Sequence, residues 1–108
     1  MTEAELQAEI LLAVGSRPDC RIWRNNTGVG RSLSGDRVIR FGLVGSADLL
    51  GILRGGRFLA VEVKTAKGRQ SEAQRNFQSM IESMGGIYVL ARDVQTVVDV
   101  IDEETGGM

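Results

Sequence analysis

The sequence predicts an α/β fold in which a mixed central β-sheet is flanked by helices, and three observations carry that expectation. Segments with apolar residues at helical spacing are separated by short runs rich in β-branched and aromatic residues. The runs 47–53 and 57–64 flank a Gly-Gly pair and are apolar on successive residues, as strands covered on both faces are. The chain has 108 residues, 43% hydrophobic and 25% charged, enough for one core and too few for two domains of ordinary size. A single domain over residues 1–104 is expected, with residues 105–108 fraying.

The elements follow in order. Leu6, Ile10, Leu11 and Val14 place a helix on 3–14, with Thr2 as N-cap, an acidic first turn and Gly15 as the stop. Cys20 to Arg24 reads as a short strand that ends at Asn25-Asn26, and Trp23, in its middle, is expected in the core. Thr27 to Asp36 is polar and glycine-rich and reads as a mobile basic loop, with Val38 to Leu43 as a further strand. The hairpin comes next, around Arg54-Gly55-Gly56. Ser71-Glu72-Ala73-Gln74 has the form of a capping box and opens a helix whose apolar face is Ala73, Phe77, Met80, Ile81 and Met84. Gly85-Gly86 stops it, Ile87 to Ala91 is a buried strand, and Asp93 caps a final helix marked by Val94, Val97, Val98 and Ile101.

Two absences narrow the chemistry. With no histidine, Ser-His-Asp catalysis, histidine general bases and histidine zinc ligands are excluded. With one cysteine, Cys20, no intrachain disulfide or multi-cysteine metal cluster can form. Any metal would have to be held by oxygen, which points to Mg²⁺ or Mn²⁺ and away from zinc. No stretch approaches the ~18 consecutive apolar residues of a membrane span, and no basic-then-apolar leader opens the chain, so no membrane association and a cytoplasmic location are expected.

The formal net charge is −1, but the charges are segregated. Residues 1–16 carry three acids and 93–108 carry five, with no base in either. Residues 17–92 hold all thirteen bases against six acids, a balance of +7. Eleven of the bases are arginine, whose planar fork suits phosphate oxygens. The competing reading is a solvated surface that the acidic helices balance in three dimensions.

Asp48, Glu62 and Lys64 stand out because each lies in an apolar strand, where an ionised group is costly unless paired or bound to a cation. If Arg54-Gly55-Gly56 is a three-residue loop, paired residue numbers add to 110, Asp48 lies opposite Glu62, and Lys64 points to the same face. A two-residue turn shifts the pairing by one and sends Asp48 to the other face. Two carboxylates opposed at ~5 Å between Cβ atoms repel, so one takes up a proton unless a cation sits between them. A divalent metal would remove the conflict, with Lys64 serving an attacking water. The alternative is an ion pair from Lys64 to Glu62 or Asp48 that fixes strand register.

Gly45-Ser46-Ala47-Asp48, then Glu62-Val63-Lys64, then a helix opening with Gln74 resembles the PD-(D/E)xK nuclease core. Trp23-Arg24-Asn25-Asn26-Thr27-Gly28 followed by Arg40-Phe41-Gly42-Leu43-Val44-Gly45-Ser46-Ala47-Asp48 resembles its virus-type replication-repair nuclease (VRR-NUC) branch. Ala47 departs from the proline that many relatives place before the aspartate. The resemblance implies a Mg²⁺- or Mn²⁺-dependent endonuclease that hydrolyses phosphodiesters in branched DNA such as Holliday junctions, acting as a homodimer. It implies that Asp48, Glu62 and the Val63 carbonyl bind metal, with Glu3 as an acidic helix ligand, and that Lys64 and Gln74 complete the catalytic set. Glu3 serves equally as a helix-dipole partner, and Gln74 equally as the capping partner of Ser71. Asn25, Asn26 and Gly28 would shape the loop beside the site, Asn25 and Asn26 also binding DNA, and Arg31, Arg37, Arg40, Lys67 and Arg69 would contact DNA phosphates. Two other readings keep the fold. One is a non-catalytic nucleic-acid-binding or assembly module, and the other is a nuclease of restriction or transposition type.

Overall fold

The expected alternation of helix and strand is realised as α1 (Glu3–Val14), β1 (Cys20–Arg24), β2 (Gly28–Arg31), β3 (Val38–Phe41), β4 (Leu49–Leu53), β5 (Phe58–Val63), α2 (Glu72–Ser83), β6 (Ile87–Ala91) and α3 (Val94–Glu104). The computed structural model describes residues 1–106, with the side chains of 29, 30, 40 and 41 excepted. It is a small α/β domain with a mixed central sheet of order β1-β4-β5-β6, in which β5 and β6 run parallel and the other neighbours antiparallel. Among the described residues, no helix is long and apolar enough to cross a membrane.

The hairpin register follows from its turn. Leu49 pairs with Val61 and Ile52 with Phe58, the register of the three-residue loop, and the Leu53 N–H donates to the Arg57 carbonyl at 2.9 Å. Gly55 and Gly56 both hold positive φ, +96° and +93°, which other residues adopt only with strain.

Within the segment expected as a mobile loop, Gly28–Arg31 instead forms β2, which pairs antiparallel with β3 as a two-stranded ribbon. Its tip is closed by local bonds that composition alone does not display. The Ser32 N–H donates to the Arg37 carbonyl at 2.9 Å, and the Asp36 carboxylate accepts from the Ser32 and Ser34 hydroxyls. These hydroxyls, Ser34 first, hold the Asp36 carboxyl below its ordinary range. β3 also ends at Phe41, two residues before the expected Leu43.

Strand alternation divides the interior in two. Leu6, Ile10 and Val14 of α1 and Val97 and Ile101 of α3 pack on Leu49, Leu53, Leu59, Val61 and Val63, on one face of the sheet. Phe77 and Ile81 of α2 pack on Ala47 and Ala60, on the other. On β1, Cys20 and Ile22 turn toward the α1/α3 side, which sends Arg21 and Trp23 to the α2 side. That side is covered only in part: Trp23 and Ile52 are each 46% exposed and Phe58 38%. Trp23 is therefore not the core residue its mid-strand position suggested.

One buried network joins the two ends of the chain. Arg17 donates through Nε and Nη2 to both oxygens of Asp19, at 2.9 and 2.8 Å, and reaches Asp102 Oδ1 at 2.6 Å. Thr105, expected to fray, lies with its hydroxyl 3.0 Å from Asp19 Oδ2. The bidentate guanidinium outweighs the cost of burial and holds the Asp19 carboxyl well below the usual carboxylate range.

Candidate functional site

Three chain segments meet at one end of the sheet because β4 is antiparallel to both β1 and β5: the end of β1, the start of β4 and the end of β5. They bring Asn25, Asp48, Glu62 and Lys64 together. Asn25 braces the junction, its backbone N–H donating to the Asp48 carbonyl at 2.9 Å and its side-chain amide to the Ala47 carbonyl at 2.9 Å and to the Ser46 hydroxyl. Gly45 sets the approach from the other side. Its φ is +81°, and a Cβ there would run into the Ala73 carbonyl, so glycine lets this loop lie against the first turn of α2.

The capping box of α2 then delivers Gln74. The Ser71 hydroxyl accepts from the Gln74 N–H at 3.1 Å, and Gln74 Oε1 accepts from the Ser71 N–H at 2.8 Å. With its carbonyl so held, the same amide donates through Nε2 to Glu62 Oε2 at 2.7 Å. The two roles weighed for Gln74 are thus performed at once, one by each end of its amide. Lys64 Nζ stands 3.7 Å from the same Glu62 oxygen. Asp48 Oδ2 accepts from the Val63 N–H at 2.8 Å.

Glu62 is 2% exposed. Burial, and after it the Asp48 charge, pushes its carboxyl up from 4.5 to about 7, while Lys64 pulls the other way. Burial is also the main cause that raises Asp48, against the Val63 N–H, which lowers it. Of the acids of α1, Glu3 also raises both carboxyls by its charge. Among the described residues, Glu62 Oε1 is a buried side-chain oxygen with no hydrogen-bond partner. The charge of Asp48 adds to that strain, and two opposed carboxylates are relieved when one of them takes up a proton.

The geometry corrects the metal expectation. Among the described residues, no group of three or more His, Cys, Asp or Glu side chains is placed to hold a metal ion. The acids number two at the centre, and one oxygen of each is already engaged: Asp48 Oδ2 by the Val63 N–H, Glu62 Oε2 by Gln74 and Lys64. Glu3 acts on the pair through its charge without completing a donor set. This overturns the Mg²⁺ or Mn²⁺ cofactor, and with it the metal-dependent endonuclease, the phosphodiester hydrolysis and the cleavage of Holliday junctions. The ion-pair alternative is the one this geometry resembles, with Lys64 set against Glu62.

The remaining expected residues fall outside this cluster. Asn26, Arg31, Arg37, Lys67 and Arg69 are exposed on the loops and ribbon that leave this end of the sheet, and the Arg40 side chain lies outside the described residues. Sequence reasoning missed a polar chain beside Glu62, in which Gln70 Nε2 donates to Gln78 Oε1 at 3.0 Å and to the Tyr88 hydroxyl at 3.1 Å. A signal for it existed, since Gln74 and Gln78 stand four apart on the helix face that also carries Phe77 and Ile81. No protein-family model and no curated protein matches the chain.

Proposed function

We propose that this chain is a nucleic-acid-binding module on a PD-(D/E)xK-like fold, and that it binds the phosphate backbone of DNA without cutting it. The observation that carries the reading is topological. The chain leaves one end of the sheet three times, after β1, β5 and β6, and each exit carries exposed bases: Arg31 and Arg37 on the β2–β3 ribbon, Lys67 and Arg69 after β5, and Arg92 after β6. The +7 balance of residues 17–92 supports a polyanion as partner. The acid pair between these exits is held by Gln74, Lys64 and backbone, and serves there as a brace of the binding end. The resemblance also implies a homodimer, which the exposed Leu33, Val38, Ile39, Leu43 and Val44 support as an apolar surface.

Fluorescence anisotropy of labelled duplex and single-stranded DNA, measured in EDTA, tests the reading. Binding is expected to weaken linearly in log Kd against log salt. The Arg31→Ala/Arg37→Ala double variant is expected to shrink that slope by roughly 1.4 to 1.8, about 0.7 to 0.9 per lost phosphate contact. Absence of binding at low salt overturns it.

A further inference from the structure

The side of the sheet that α2 leaves uncovered has a composition unlike the rest of the surface. By register, Trp23 stands beside Leu50, and Arg21 beside Ile52, which in turn pairs with Phe58. Strand alternation points all of them to the α2 side, yet α2 packs on Ala47, Ala60, Leu50 and Tyr88 and stops short of β1. The result is an open strip of one indole, one phenyl ring and one isoleucine, each 38–46% exposed. Next to it lies a groove of about 240 Å³ lined by Arg21, Ile52, Leu53, Arg54 and the loop Pro18 to Cys20. The one acid in that lining, Asp19, is 1% exposed and already bound on both oxygens by Arg17, so the groove presents guanidinium charge without an opposing free carboxylate.

We propose that this strip is a stacking platform for a single-stranded segment of DNA, with a base laid on Trp23 and the adjoining phosphate held in the groove by Arg21 and Arg54. An exposed aromatic face flanked by arginines is the combination that single strands require, because every base offers a π-face and every nucleotide a phosphate. A duplex hides its base faces and cannot use the indole. Trp23 also stands one same-face step, ~7 Å along the strand, from Asn25, whose backbone bonds Asp48, so the platform leads into the basic end of the sheet. The inference rests on the DNA-binding reading above and adds to it the strandedness of the ligand and a second contact region.

Trp23 is the only tryptophan in the chain, so its fluorescence reports this site alone. Emission and anisotropy are followed together while unlabelled and labelled oligo(dT) are titrated, with duplex DNA of equal length as the comparison. Quenching of Trp23 by oligo(dT), and weaker quenching by duplex, is expected. Trp23→Ala is expected to weaken oligo(dT) binding by about 5- to 150-fold, the factor that one base–aromatic stack of ~1–3 kcal/mol represents, with Trp23→Phe intermediate and Arg21→Ala reducing the salt slope. If anisotropy shows binding but Trp23 emission stays constant, the platform is wrong and the DNA-binding reading stands. If neither signal changes, both fall. A blue shift of Trp23 that depends on protein concentration alone, with a doubled mass by light scattering, makes the strip a contact between copies and overturns the proposal. Melting curves of the Trp23 variants, expected to overlay the parent because the ring is half exposed, separate lost stacking from lost folding.

Discussion

Among the described residues, Asp19 and Glu62 are the two buried acids, 1% and 2% exposed, and they have opposite fates. Asp19 faces a guanidinium that matches both of its oxygens and a hydroxyl beside them. Glu62 faces another carboxylate, receives one amide bond and a lysine at 3.7 Å, and keeps one oxygen without a partner. Burial opposes the charge of both; what differs is the number of donors aimed at each. The Asp19 end of the molecule is therefore held in its charged form, and the Glu62 end is poised near neutrality between two forms.

Breaking the first of these has the largest expected effect. Asp19→Ala leaves Arg17 partly buried with only Asp102 and cuts the tie to Thr105, so chemical denaturation is expected to show a loss of ~3–5 kcal/mol, the usual cost of removing one partner of a buried pair. The wild-type contribution has a defined pH window. Because the folded carboxyl lies below its ordinary value of 3.8, the stabilisation is complete above that pH and is lost as pH falls through the folded value. Asp19→Ala should thus flatten the acid limb of stability against pH.

Glu62 behaves in the reverse sense. Its folded carboxyl is raised from 4.5 to about 7, so the neutral form is the better fit, and stability is greatest below 4.5 and falls as pH rises through 7. At 1.36 kcal/mol per unit of pKa, the full fall is ~3 kcal/mol. Glu62→Gln is expected to remove most of that slope and to be more stable than the parent at pH 8, read as a higher urea midpoint with unchanged m value. An unchanged pH slope in this variant would place the titration elsewhere. Thr105→Ala is the smallest expected change, ~1 kcal/mol at neutral pH, because it takes one neutral donor from Asp19 and leaves the bidentate arginine in place.

What could be read from the chain divides along the same line. The hairpin register, the caps at Thr2, Ser71 and Asp93, and the meeting of Asp48 with Glu62 rest on residues a few positions apart or on strand parity, both of which a sequence displays. The Asp19 network does not, since Thr105 comes from the far end of the chain. Trp23 was misplaced because strand alternation says that a side chain changes face, but not whether a helix extends over the face it reaches. The metal expectation failed for a related reason. Residue types at Asp48, Glu62 and Lys64 specify which atoms are available, and only the fold tells that, among the described residues, no third ligand joins the two acids and that Val63 and Gln74 already hold one oxygen of each.

The turn at Arg54-Gly55-Gly56 lies at the opposite end of the hairpin from the acids, ~17 Å away by strand length, and touches none of them. Even so, its odd number of residues sets the parity of every position that follows. Were the turn closed on Gly55-Gly56 alone, Arg54 would face Arg57, the register would slip by one, and Asp48 and Glu62 would point to opposite faces without a change in either residue. The choice of which residues close the turn at one pole of this molecule is thus a coordinate of the chemistry at the other.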